Sequence, residues 1–380
     1  MRANSEITRQ HREAGFTLIE LMVALVIGSL LVIGILAIFI YGNRSYREDD
    51  QVAKMQDELR FAMAQITRDL EMAGFWASLL DPAEVTLDAD LSVASDCGPE
   101  TPLLPALEES EPADSPRRTW IYGNLEAIAF VNDASPSESA SVFPCLDEGE
   151  VGAGNPDVIA VKRLASELSY QVAESEIDGL SNNSAPDEMM PGQVYVQSNN
   201  SKGLMFALGG GIPSGSPVPP YEYWRYRPTI YYIRSFTDQA GDGVPSLCRK
   251  ILSLGAAPTG EESESEEGEG GGEVPALVGA GSTQCLATGI EDLQLEFGID
   301  RNGDAAPEFY DPDPTPDDLR LAVAVRVTLL ARSERRGEGY TNRKTYALTS
   351  EKTVTPNDRF YRRTLTTTVL LRNPAALRTY

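Results

Sequence analysis

Few side chains in this chain could do chemistry, and they sit in three places. Glu20 stands inside an apolar stretch, four cysteines (Cys97, Cys145, Cys248, Cys285) are spread along the chain, and Asp300, Asn302, Asp304, Glu308 and Asp311 crowd one short segment. Counted from Asp300, those last five oxygens fall at positions one, three, five, nine and twelve, the spacing by which a loop wraps calcium. Two features oppose that reading: Ala305 takes the sixth position, where glycine is wanted, and Asp311 is shorter than the usual bidentate glutamate. The alternative is a β-turn at Asn302-Gly303 with solvated acids. An even count of cysteines in an oxidising compartment favours two disulfides. Three connectivities exist, of which neighbour pairing, Cys97–Cys145 and Cys248–Cys285, is the simplest. A Cys₄ zinc site needs short spacings that are absent. The chain holds one histidine, His11, no G-x-S-x-G elbow and no phosphate loop, since Gly209-Gly210-Gly211 lacks a following Lys-Ser/Thr. Carboxylate pairs suited to glycoside hydrolysis arise by chance among 57 acidic residues. The expectation is a non-enzyme whose one candidate cofactor is calcium.

The elements that position these groups begin with residues 15–42. No charge occurs from Leu21 to Asn43, and twenty apolar residues at about 1.5 Å each span roughly 30 Å, a bilayer's hydrocarbon thickness. A cleaved secretory signal would have a shorter core and an A-x-A site; this run ends in Phe39-Ile40-Tyr41-Gly42-Asn43. The leader carries Arg2, Arg9 and Arg12 against Glu6 and Glu13, which by the positive-inside rule keeps the N-terminus cytoplasmic and sends the bulk of the chain across. Glu20 costs roughly 2.5–3.5 kcal/mol at mid-bilayer, less near the interface, so it either serves a function or snorkels to the headgroups. The formal net charge of the 380 residues is −25, which repels phosphate backbones and excludes nucleic acid as the expected partner.

Past the apolar run the helical period continues. Val52, Met55, Leu59, Ala62, Ile66 and Leu70 step by three or four, with Lys54, Asp57, Arg60, Arg68 and Asp69 on other faces. Gly74 follows as a C-cap, and Asp81-Pro82 bars continuation. Strands are expected at 127–131, 157–162, 193–197, 229–234, 246–252, 293–298, 319–330 and 359–371. The fold class is therefore α+β: a long N-terminal helix, half in the membrane and half amphipathic, packed on a mainly antiparallel sheet with long loops. Residues 260–272 are Glu, Ser and Gly without a basic residue. They read as part of a flexible acidic loop, 257–284, with an acidic docking segment as the other reading.

Gly15-Phe16-Thr17-Leu18-Ile19-Glu20-Leu21 resembles the leader junction of type IV prepilins and type II secretion pseudopilins. The head adds Ala73-Gly74-Phe75-Trp76, Gly289-Ile290-Glu291-Asp292-Leu293-Gln294 and Thr366-Thr367-Thr368-Val369-Leu370-Leu371-Arg372-Asn373, similar to the PilW kind of minor pilin. The resemblance implies cleavage by a prepilin peptidase between Gly15 and Phe16, N-methylation of Phe16, and pairing of its amine with Glu20 of a neighbouring subunit. It divides the chain into leader 1–15, membrane and filament-core helix 16–42, amphipathic half 43–73 and periplasmic head 74–380. Loss of the leader removes a net charge of +1 and the one histidine, leaving a mature charge of −26. Implied partners are other minor and major pilins, the inner-membrane assembly platform and a tip adhesin, and the implied task is to prime pilus assembly. The alternatives are a J-type minor pseudopilin of type II secretion and a membrane-anchored calcium-dependent adhesion module. One departure stands out: Ala77-Ser78 occupy the place where the family has a cysteine.

Overall fold

The computed structural model describes residues 15, 17–79, 82–88, 91, 96–99, 119–123, 126–152, 154–172, 188–208, 221–255, 274–276 and 283–373. Two compact units divide the chain, Met1–Val52 and Ala53–Tyr380. Helix α1 (Leu18–Glu71, 54 residues) begins in the first and ends in the second.

In the first unit α1 carries the apolar run. No proline interrupts it, and a helix satisfies its interior N–H and C=O groups within itself, as a segment without water around it must. Its large side chains point outward, Leu18 and Ile38 keeping 77% and 74% of their surface. Among the described residues it is the one helix long and apolar enough to cross a membrane.

In the second unit α1 is amphipathic. Met55, Leu59, Ala62, Met63, Ile66 and Leu70 are buried in one stripe, while Val52, just outside this unit, is half-buried. Burial of a large apolar side chain contributes about 1.5–3 kcal/mol, so the stripe supplies on the order of 10 kcal/mol before chain entropy is charged. Asp69, expected on another face, is buried as well. Beyond the last turn Gly74 adopts φ 69° and donates its N–H to the Lys162 carbonyl at 2.9 Å, a left-handed conformation open to glycine without a Cβ penalty.

The strands form three main sheets where one was expected. The first runs in the order Val85–Leu87, Gly203–Ala207, Val194–Ser198, Tyr221–Arg225, Tyr170–Val172, its first pair parallel and the rest antiparallel. The second, fully antiparallel, is Thr283–Thr288, Ser246–Ile251, Thr229–Arg234, Val158–Val161, Ile128–Val131. The third, also antiparallel, is Phe309–Asp311, Ile290–Ile299, Ala322–Arg332, Arg362–Leu370. Two-stranded ladders join Ser253–Gly255 to Val274–Ala276 and Tyr346–Ala347 to Thr353–Val354. Among the described residues two short helices are also present, α2 (Pro136–Val142) and α3 (Pro316–Arg320). The stripe of α1 shares one core with Ile159 and Tyr231 of the second sheet and Leu293, Leu295, Val325 and Val327 of the third. A second core gathers Trp76, Trp120, Phe143, Tyr226 and Tyr232.

Every expected strand overlaps an observed one, most with ends shifted by one to three residues. Residues 319–320 belong to α3, because Thr315 caps that turn by accepting from the Asp318 N–H. The expected acidic loop 257–284 is interrupted by the Val274–Ala276 strand and ends at Thr283. Its stretches 257–273 and 277–282 lie outside the described residues.

Gly289, between two strands, explains one of the sequence motifs. It sits at φ 75°, and a Cβ there would lie 2.7 Å from the Arg332 carbonyl oxygen. Gly289→Ala should therefore lower the unfolding free energy by about 1–3 kcal/mol in urea denaturation. A loss below about 0.5 kcal/mol, within the range of ordinary surface changes, would contradict this placement.

Candidate functional site

The N-terminal junction is built by the first turn of α1. Thr17 precedes the helix, and its hydroxyl accepts the Glu20 N–H at 3.3 Å. In return Glu20 Oε2 accepts the Thr17 N–H and hydroxyl, each at 2.9 Å. This is a reciprocal capping box, which satisfies donors that a helix start otherwise leaves unpaired. The Leu21 N–H closes the first helical bond onto the Thr17 carbonyl at 3.2 Å. Glu20 Oε1 accepts nothing among the described residues, so the carboxylate keeps one oxygen for an outside donor. The Thr-x-x-Glu spacing ahead of an apolar run was the available sequence signal for this box, with Thr17 as the residue left out of account. Gly15 is exposed, and Phe16 lies outside the described residues.

The cysteines pair as neighbours. Cys97–Cys145 lies in the second core, where the Asp96 carboxylate accepts the N–H groups of Cys97, Trp120 and Ile121. Cys248–Cys285 joins directly opposed residues of adjacent strands, closing the segment that contains the acidic run. Each cross-link spans tens of residues, a length for which loop closure contributes typically about 2–4 kcal/mol.

The five oxygen-bearing residues from Asp300 to Asp311 serve their own backbone. Asp300 accepts from the Gly303 and Ala305 N–H groups at 2.7 and 3.0 Å, Asn302 from Asp304 at 2.8 Å, and Asp304 from Ala306 at 2.9 Å. Glu308 accepts from Arg301 at 2.8 Å and Asp311 from Asp313 at 3.0 Å. Arg301 adds an ion pair with Asp318 at 2.8 Å. Among the described residues no group of three or more His, Cys, Asp or Glu could hold a metal ion. These residues form a self-capped turn, the alternative reading of their spacing, in which each spends an oxygen on a nearby amide.

The buried polar groups of the head anchor elements to one another. Asp69 accepts two bonds from Arg163, at 3.0 and 2.6 Å, and the Tyr231 hydroxyl at 2.6 Å. That explains its burial on α1, and burial together with the Asp69 charge holds the Tyr231 phenol above its ordinary pKa. Lys162 is fully buried, donating to the carbonyls of Trp120 (3.0 Å) and Gly123 (2.6 Å). Burial pushes its ammonium down to about 7, against the opposing pull of Glu126 and Asp96. Asp292 accepts from Gln294 at 3.0 Å and pairs with Lys352 at 3.3 Å. Burial pushes its carboxyl up to about 7, assisted by Asp133 and opposed by Lys352 and Gln294.

Those two shifts have opposite linkage signs. The native state holds a proton on Asp292 that the unfolded chain has lost, so stability from this group falls as pH rises through about 7. Lys162 gives up its proton more easily when folded, so stability from this group rises as pH climbs from about 7 toward the ordinary lysine range. Relative to wild type, Asp292→Asn should gain about 1 kcal/mol between pH 6 and 8, and Lys162→Met should lose about as much. Urea unfolding at the two pH values reads both differences; parallel shifts in the two variants would refute the assignment.

Residues 230–373 match the family described as Type IV Pilus-assembly protein W, and residues 10–36 match the prokaryotic N-terminal methylation motif. No curated protein and no solved structure matches the chain. The first match spans most of the second sheet and all of the third, and the second spans the leader junction and most of the apolar run. Together, on a long apolar N-terminal helix and a mainly antiparallel head, the two matches support a PilW-type type IV minor pilin.

Proposed function

We propose that this chain is a structural subunit that waits in the inner membrane, head in the periplasm, and helps prime type IV pilus assembly with other minor pilins. The observation that carries the reading is the exposed apolar α1 with a capped but half-free Glu20 at its first turn, inside the matched methylation motif. A prepilin peptidase would free the Phe16 amine, and that cation would meet the open oxygen of a neighbour's Glu20 when the helices align. Opposite charges attract strongly in a low-dielectric bundle, and a helix out of register would leave both charges unpaired. The pair thus favours one register more than it adds stability.

The test has two parts. Mass spectrometry of the chain from cells should find N-methyl-Phe at residue 16, whereas an intact Met1 would leave a tethered head and overturn the proposal. Deletion of the chain should abolish surface filaments while exoprotein secretion continues; the reverse pattern would make it a type II secretion pseudopilin.

A further inference from the structure

Charge is unevenly placed on the head. In a chain of net −25, residues 331–344 and 358–363 hold eight basic side chains and three acidic ones. The two segments make one surface. Strand register sets Arg332 opposite Arg362 and Ala331 opposite Arg363. The Ser333 N–H donates to the Tyr361 carbonyl at 2.9 Å, and the Gly337 N–H to that of Arg359 at 2.7 Å. The Arg332 and Arg336 guanidiniums lie over the Phe360 ring, at 4.4 and 5.6 Å, and Tyr340 stacks on Tyr361 at 4.3 Å.

Within this surface Arg362 is neutralised by Glu291 and Asp358. Arg335, Arg336, Arg343, Lys344, Arg359 and Arg363 are exposed, and no acid among the described residues pairs with them. Unpaired like charges held close together repel, so the patch costs the isolated head stability and favours an anionic partner. Its position narrows the choice. Glu334, inside the patch, pairs with Lys54 at 2.5 Å, and Glu58 accepts the Thr288 N–H at 3.0 Å. The patch therefore lies at the end of this unit where its own chain begins. Lys54 stands eleven positions past Asn43, the end of the uncharged run, and both lie in the continuous helix α1, whose rise over that stretch is about 16 Å. A strongly acidic head held that close to an anionic surface would be repelled unless it turned its basic end toward it.

We infer that this cationic end of the head rests on the anionic phospholipid headgroups of the membrane that holds α1. The inference depends on the apolar run lying in a bilayer and not on the assembly role. Arg335, Arg336, Arg359 and Arg363 carry the contact, and aromatic packing around Phe360 and Tyr361 holds the two segments that bear them together.

The test uses the full chain in nanodiscs of phosphatidylcholine alone and of phosphatidylcholine with about 30% phosphatidylglycerol. Hydrogen exchange across residues 331–344 and 358–363 should be slowed about threefold or more in the anionic discs. The slowing should vanish near 0.5 M salt, where charge is screened within about 4–5 Å. It should also vanish in the combined Arg335→Glu, Arg336→Glu, Arg359→Glu, Arg363→Glu variant. The corresponding Arg→Gln variant serves if the reversed charges prevent folding. Equal exchange in both discs, with residues 18–42 protected in each, overturns the inference while leaving the membrane segment standing. Slowing in the neutral discs on addition of duplex DNA, absent with anionic lipid, also overturns it and assigns the patch to nucleic acid.

Discussion

Asp69→Ala should destabilise the head by about 3–5 kcal/mol, because it strands a buried guanidinium. The Asp69 and Arg163 side chains keep only 6% and 5% of their surface, and they meet through two bonds to one oxygen while Tyr231 takes the other. Removing the carboxylate leaves Arg163 with the Leu164 carbonyl at 3.0 Å and a weak contact to the Met72 sulfur, and it leaves the Tyr231 hydroxyl with a long 3.5 Å bond to the Gln65 carbonyl. Asp69→Asn keeps an acceptor and should cost less, about 1–3 kcal/mol. The informative variant is Asp69→Leu combined with Arg163→Met. An apolar pair of similar volume is often neutral beside a buried ion pair, so the double variant should recover most of the loss. Denaturant unfolding of wild type, Asp69→Leu, Arg163→Met and the double variant reads the cycle, with Asp69→Ala and Asp69→Asn measured beside it. If Asp69→Ala falls within about 0.5 kcal/mol of wild type, the pair does not hold α1 to the second sheet as its geometry implies.

This residue also marks the limit of what the sequence discloses. The helical stripe from Val52 to Leu70 was legible because six apolar side chains recur at one period, and the strands were legible where alternation ran long, as at Val323, Val325, Val327 and Leu329. Asp69 falls off the apolar stripe, and nothing in the local pattern sets it apart from the other charged side chains there, which are solvated far more often than buried. Its partners lie 94 and 162 residues away, and no local pattern announces a bond that distant. Short strands such as Val85–Leu87 and Phe309–Asp311 were missed for a related reason. Three residues carry too little periodicity, and the ladder is stabilised by a neighbour remote in sequence. The Asp300 loop shows how one spacing carries two readings. Side-chain spacing suited a cation, but the nearby amides claim the same oxygens at less entropic cost. At the N-terminus the methylation motif was legible, and what escaped was Thr17, whose role depends on where the helix starts.

Glu20→Gln should separate the two tasks that meet at the junction. Glutamine also serves at the third position of a capping box, so its amide oxygen can keep the bond to the Thr17 N–H and the helix start should stay intact. What it loses is the charge offered to a neighbour's amine. The expected result is normal cleavage after Gly15 and normal membrane insertion, with incorporation into filaments reduced at least about tenfold, the equivalent of 1.4 kcal/mol. Glu20→Ala should show the same assembly defect and in addition fray the first turn, at a cost of about 1 kcal/mol. Thr17→Val is the complement, since it removes the hydroxyl that accepts the Glu20 N–H and keeps the carboxylate. If charge pairing governs assembly, this variant should incorporate within a factor of about three of wild type, its loss being confined to the cap. Quantitative immunoblotting of sheared filaments against the membrane pool measures all three. Should Glu20→Gln incorporate like wild type while Thr17→Val fails, the junction would work through the shape of the helix start and not through its charge, and the register argument would fall with it.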